Sequence, residues 1–180
     1  MSDVPDEKLA RDLSAGDDAA FAALYDRYGA ALYASALSLL SSDADAEDAV
    51  QDVWAAMARG RDRLAGVRNV KAYLYAALRH AAARRRARRP ASASLTDVPE
   101  PAGRAGPAGP SDRVERALRR LPAAQREAVV LKIDGGLTFA ELGEALDVSP
   151  NTAASRYRYA LEKLRDALKG DCDDGQPTPG

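Results

Sequence analysis

Apolar residues recur at helical spacing over most of this chain. Phe21, Leu24, Tyr25, Tyr28 and Leu32 follow one another at steps of one, three and four, and the pattern continues to Leu40. Leu9 and Leu13 mark a shorter helix ending near Gly16. Ala46, Val50, Val53, Trp54 and Met57 form a third stripe, with Asp43 as its cap. "RGRDRLAGVRN" has no period and reads as a basic loop. Asn69 then caps a helix through Leu74, Leu78 and Ala81 that runs into "RRRARR". It stops before Pro90, because a proline drives the preceding residue out of the helical region.

The pattern breaks at "PASASLTDVPEPAGRAGPAGP", residues 90–110, which is built from Pro, Gly, Ala and Ser and reads as a flexible linker. Fully extended it reaches ~70 Å, at about 3.3 Å per residue. Helical signals resume with a cap at Ser111, helices near 112–120 and 122–133, and Pro122 at a first helical position. "DGG" at 134–136 separates these from two more helices. Strand signals are nearly absent. The expected fold class is therefore all-α, with two small helical domains over 6–89 and 111–169 and a disordered acidic tail over 170–180.

The last two helices carry the sharpest local pattern. Thr138 and Glu141 have capping-box spacing, Ser149 caps the next helix, and Pro150 occupies its first position, where a missing N–H is harmless. Leu142, Leu146, Val148, Ala153, Tyr157, Ala160, Leu161 and Leu164 form a shared apolar face. This is the pattern of a helix-turn-helix, whose second helix enters the DNA major groove N-terminal end first. Small residues such as Ala154 and Ser155 let that backbone approach closely. Asn151, Arg156 and Arg158 reach base edges or phosphates, with Pro150, Thr152 and Tyr159 on the same stretch.

Charge divides the first half. Net charge is −1 over 180 residues, but residues 1–58 hold 3 basic and 12 acidic side chains while residues 59–89 hold 11 and 1. Interspersed signs would serve solubility better, so the segregation points to two partners on opposite faces. One His and one Cys, with no Gly-rich phosphate loop after a strand, leave no nucleophile–base pair or thiol metal cluster, so neither enzyme chemistry nor a cofactor is expected. No apolar run approaches the length needed to cross a bilayer, and the acidic start lacks a signal-peptide pattern. A cytoplasmic protein without membrane insertion is expected.

"DADAEDAVQDVWAAM" followed by "RNVKAYLYAALRHAAARRRARR" resembles region two of the extracytoplasmic-function sigma factors, members of the sigma-70 family of bacterial RNA polymerase subunits. "LPAAQREAVVLKIDGGLTFAELGEALDVSPNTAASRYRYALEKLR" resembles their region four. The resemblance implies promoter recognition and help with promoter melting, with core RNA polymerase and promoter DNA as partners. A linker of this kind would also permit an anti-sigma factor between the domains. In the family the "DAED..Q" helix docks on the polymerase, which here implies Asp45, Glu47, Asp48, Gln51 and Asp52, with Trp54 as an anchor. Minus-ten capture falls by resemblance to the loop residues Arg61, Arg63, Arg68 and Asn69. The following helix adds Tyr73, Tyr75, Arg79, His80, Arg84 and Arg85. The residues from Pro150 to Tyr159 fall to the minus-thirty-five element. Tyr73, His80 and Arg84 stand where the family commonly has Trp, Asn and Asp, which leaves the preferred minus-ten sequence open. The rival reading, a stand-alone helix-turn-helix regulator, explains the second half but gives the acidic helix no task.

Overall fold

In the computed structural model, which describes residues 4–88 and 110–173, every regular element is helical. The elements are α1 (Asp6–Ser14), α2 (Asp18–Leu40), α3 (Asp43–Arg59), a 3-10 turn (Arg61–Gly66) and α4 (Val70–Arg88) in the first half. The second half holds α5 (Pro110–Arg120), α6 (Ala123–Ile133), α7 (Phe139–Leu146) and α8 (Pro150–Asp173). The linker lies outside the described residues apart from Pro110, which opens α5. Helix α8 runs past Lys169 to Asp173, so helix replaces the start of the expected tail.

Local chemistry sets the helix ends. Ser42, not Asp43, caps α3: its hydroxyl accepts from the Asp45 N–H at 3.3 Å, and Asp43 becomes the first helical residue. Asn69 caps α4 through the Ala72 N–H at 2.9 Å. Pro122 precedes α6 as its cap, one residue earlier than its expected place inside the helix. The expected basic loop coils into the 3-10 turn, pinned by the fully buried Leu64.

Ala46, Ala49, Val50, Val53, Trp54 and Met57 bury the α3 stripe against α2 and α4, where Leu24, Leu32, Leu74 and Leu78 are fully buried. Each such leucine contributes on the order of 1.5–3 kcal/mol when fully buried. In the second half α8 packs on α5, α6 and α7. A small cluster of Ala117, Leu121, Val129, Ala160 and Leu164 fills the space around α5.

The two halves do not stand apart. One hydrophobic cluster runs from Leu24, Leu74 and Tyr75 into Leu131, Leu137 and Leu142 of the second half. Helix α4 lies against α7, and α2 against α6. Sequence periodicity marks which face of a helix is apolar but not which partner covers it, and here part of that cover comes from across the linker.

Candidate nucleic-acid interface

The helix-turn-helix is built as its caps require. The Thr138 hydroxyl accepts from the Glu141 N–H at 3.2 Å, and the Glu141 carboxylate accepts from the Thr138 N–H at 2.7 Å. Burial alone would raise the Glu141 pKa, but hydrogen bonds to the carboxylate from the Thr138 backbone and hydroxyl, the nearby Lys71 charge and the Asn69 amide outweigh it and hold the carboxyl below its usual range. Asp147 ends α7 in the left-handed region, at φ 54°. The turn brings the Val148 carbonyl and Pro150 against Gly143, where a Cβ would stand 2.9 Å from the Val148 oxygen. Only glycine lets the two helices approach this closely; a larger side chain there costs on the order of 1–3 kcal/mol in overpacking. Ser149 then caps α8, accepting from the Thr152 N–H at 3.1 Å.

This geometry presents a clear face. Pro150, Asn151, Thr152, Arg158 and Tyr159 are exposed, while Ala153 and Ala160 point into the core. Ala154, Ser155 and Arg156 are half-buried on the flank. The Arg158 guanidinium sits 5.7 Å from the centre of the exposed Tyr159 ring. Behind the face, Phe139 meets Tyr157 edge-on at 5.8 Å and Lys132 lies 5.1 Å from the Phe139 ring centre.

On α3, Glu47, Asp48 and Gln51 are exposed, and Asp45 and Asp52 are partly so. Trp54 is not among them. It is only 5% exposed, meets Phe21 edge-on at 5.6 Å, and is covered by Tyr25, which is 51% exposed. The anchor expected at a partner surface is a core residue, and the aromatic group at the surface is Tyr25. The stripe that contains Val50, Val53 and Met57 already signalled this burial.

The basic segment divides into exposed and engaged groups. Arg61, Arg63, Arg68, His80 and Arg84 are exposed, and Asn69, Tyr73 and Arg79 are half-buried. Tyr75, expected as a platform for unstacked bases, is fully buried; burial pushes its phenol up to about 12. Nor are the opposed charges on opposite faces. Arg85 Nη1 donates to Asp52 Oδ2 at 2.7 Å, with Arg84 at 3.8 Å from the same oxygen and Arg85 Nη2 at 4.0 Å from Asp48. The Arg85 hydrogen bond comes first among the causes that lower the Asp52 pKa, ahead of an opposing burial effect. Because α3 packs along α4, the acidic and basic blocks meet at a seam. Sequence spacing gave no sign that Lys71, Arg86 and Glu127 make contacts across the halves, with Lys71 donating to the Gly136 carbonyl and Arg86 to Glu127.

Comparison with known proteins agrees with this layout. The Sigma-70 region 2 family model matches residues 24–90 and the Sigma-70, region 4 model matches residues 111–164. The ECF RNA polymerase sigma factor SigM of Mycobacterium tuberculosis is 33% identical over 152 residues, covering 83% of this chain and 78% of that protein. The ECF RNA polymerase sigma factor SigK of Mycobacterium bovis is 26% identical over 175 residues, covering 90% and 92%. Among solved structures, CnrH in complex with the cytosolic domain of CnrY superposes with a TM-score of 0.74 at 28% identity, covering 92% of this chain and 98% of that one. The sigma factor RpoE in complex with the anti-sigma factor NepR, from Bartonella quintana, gives 0.62 at 29% identity, covering 77% and 90%. With both sigma regions present in order and matched along most of its length, the chain belongs to the extracytoplasmic-function sigma factors of RNA polymerase.

Proposed function

We propose that this sigma factor divides its work between two exposed surfaces, one for core RNA polymerase and one for upstream promoter DNA. The acidic residues Asp45, Glu47, Asp48 and Asp52, with Gln51 among them, dock α3 on a basic surface of the polymerase. Asn151, Thr152, Ser155, Arg156 and Arg158 read the minus-thirty-five element from the start of α8. Arg61, Arg63, Arg68, Arg79 and Arg84 form the cationic track along which the minus-ten strand is held as it separates, with Tyr73 as the remaining stacking platform. These roles need only binding, so the chain acts as a specificity subunit and not as an enzyme. It works where the polymerase works, in the cytoplasm; among its described residues no helix is long and apolar enough to cross a membrane.

The observation that carries this reading is that Glu47, Asp48 and Gln51 lie exposed on α3 of the same chain that exposes Asn151, Thr152 and Arg158 on α8. A stand-alone DNA-binding regulator would use only the second surface. An anti-sigma factor is a further partner of this reading, since solved structures similar to this chain include the sigma factor RpoE bound to the anti-sigma factor NepR and CnrH bound to the cytosolic domain of CnrY. Transcription starts mapped across the genome after induced expression test the assignment. New starts sharing two upstream elements at constant spacing are expected; new starts sharing only an upstream operator would indicate the regulator instead.

A further inference from the structure

The last two turns of α4 present an outer face of one kind. His80, Ala83, Arg84, Ala87 and Arg88 follow the first of them by three, four, seven and eight residues, the spacing of a single helical stripe, and all five are exposed. The stripe holds basic residues and alanines and no carboxylate. Its inner neighbours have another task. Arg85 and Arg86, only 15% and 24% exposed, donate to Asp52 and Glu127 and fasten the helix to the elements behind it. The exposed part of α8 beyond its recognition face mixes signs instead, with Glu162, Lys163, Arg165 and Asp166. Mixed signs suit plain solvation, whereas a stripe of one sign suits a polyanion.

The side chains narrow the form of that polyanion. An unstacked strand is held on aromatic platforms, and this stripe has none; Tyr73 lies two turns back, ~10 Å along the helix. The alanines between the cations let a regular backbone come close. From His80 to Arg88 the helix rises ~12 Å, a length over which one strand of B-DNA carries roughly three or four phosphates. The nearest groups leave the cations in place. His80 Nε2 meets Arg79 Nη2 at 3.4 Å, and Arg84 stands 3.8 Å from Asp52 with 57% of its side chain exposed. A half-exposed pair at that distance is a weak competitor for a phosphate.

We propose that this stripe holds the phosphate backbone of the double-stranded DNA just upstream of the separated minus-ten strand. Arg84 ends the single-strand track, and Arg88 extends it onto duplex. The contact positions the DNA and carries no sequence information. It rests on the assignment of α4 to minus-ten DNA made above. The duplex lies upstream because chain order leads from Arg88 through residues 90–110 to the half assigned to the minus-thirty-five element.

The test assembles the full chain with core RNA polymerase and measures anisotropy on two probes. One is a single strand carrying the minus-ten sequence found by start-site mapping; the other is the same strand with an upstream duplex arm. The forked probe is expected to bind more tightly, and scrambling the arm should leave that advantage in place. Arg88→Ala should lower the slope of the advantage against log salt by about 0.9, one phosphate contact. Ala87→Glu, which sets a carboxylate beside Arg84 and Arg88, should reduce the advantage about tenfold at low salt. Neither change should alter single-strand binding or the circular dichroism, since both positions are exposed on a helix. Lys163→Ala, the same charge loss on the mixed face of α8, should leave the slope unchanged, and Arg61→Ala with Arg63→Ala should weaken both probes alike. An advantage that is absent, that depends on arm sequence, that survives both α4 substitutions or that Lys163→Ala cuts equally would overturn the duplex contact. Equal losses on the two probes with Arg88→Ala would place Arg88 in the single-strand track and overturn it as well. Unchanged single-strand binding in the Arg61→Ala, Arg63→Ala protein would instead overturn the minus-ten assignment on which the proposal stands.

Discussion

Replacing Glu47 and Asp48 by lysine is expected to abolish co-purification with core RNA polymerase while leaving the fold intact. Both side chains are exposed on α3, and among the described residues their one ion-pair contact is the 4.0 Å approach of Arg85 to Asp48. Reversing their charge therefore disturbs little inside the chain. At a docked interface it places two ammonium groups against the basic surface that the acidic strip suits. Like-charge juxtaposition at an interface costs several kcal/mol, so an affinity loss of at least about a hundredfold is expected, since each 1.4 kcal/mol is tenfold. Asp52→Lys is a poorer probe. It sets an ammonium beside Arg85, which is only 15% exposed, and mixes lost docking with lost stability. Pull-down with purified core enzyme, with circular dichroism to check the fold, gives the answer. Folded double-lysine protein that still binds core would remove α3 from the polymerase interface.

Arg156→Ala together with Arg158→Ala should weaken binding to a duplex carrying the minus-thirty-five element by about tenfold to a hundredfold. A well-formed arginine contact to a base is worth about 1–3 kcal/mol, and a phosphate contact contributes through counterion release. The salt dependence tells the two apart. If both arginines meet phosphates, the slope of log affinity against log salt falls by about 1.8, at about 0.9 per contact. If they meet bases, affinity falls with little change in slope and discrimination among duplexes is lost. The fold should survive, because the residues that bind α8 to α7 and α6 are Ala153, Tyr157 and Ala160 on its other side. Fluorescence anisotropy across a salt titration measures both quantities. Unchanged affinity at every salt concentration would exclude the two residues from the DNA face.

What the sequence made legible was local. The capping box of Thr138 and Glu141, the Ser149 cap, the Asn69 cap and the α3 stripe are all spelled out within a few residues, and the structure forms each of them. The cap of α3 fell one residue early, on Ser42, because Ser and Asp both suit that place and stand side by side. What stayed illegible was long-range. Arg86 and Glu127 are 41 residues apart and Lys71 and Gly136 are 65 apart, and nothing in either neighbourhood announces the other. The same limit explains the two misplaced aromatics. An aromatic ring suits a core and an interface equally well, so Trp54, already part of the α3 stripe, and Tyr75 were also given interface roles, and both are core groups in the fold. The charge segregation was real along the chain, but antiparallel packing of α3 on α4 folded it into the Asp52–Arg85 seam. Asp48 and Asp52 of the acidic block thus meet Arg84 and Arg85 of the basic block, where two opposite faces were expected.

Run-off transcription with purified core RNA polymerase tests the central claim most directly. A linear template carrying a promoter found by start-site mapping is transcribed with core alone, with core plus this chain, and with core plus the Glu47→Lys, Asp48→Lys protein. A discrete transcript from one start, appearing only with the unaltered chain and strongest at low ionic strength, is the expected result. Core enzyme that gains no start-site choice from the chain at any ionic strength, with the chain folded and in excess, contradicts the account.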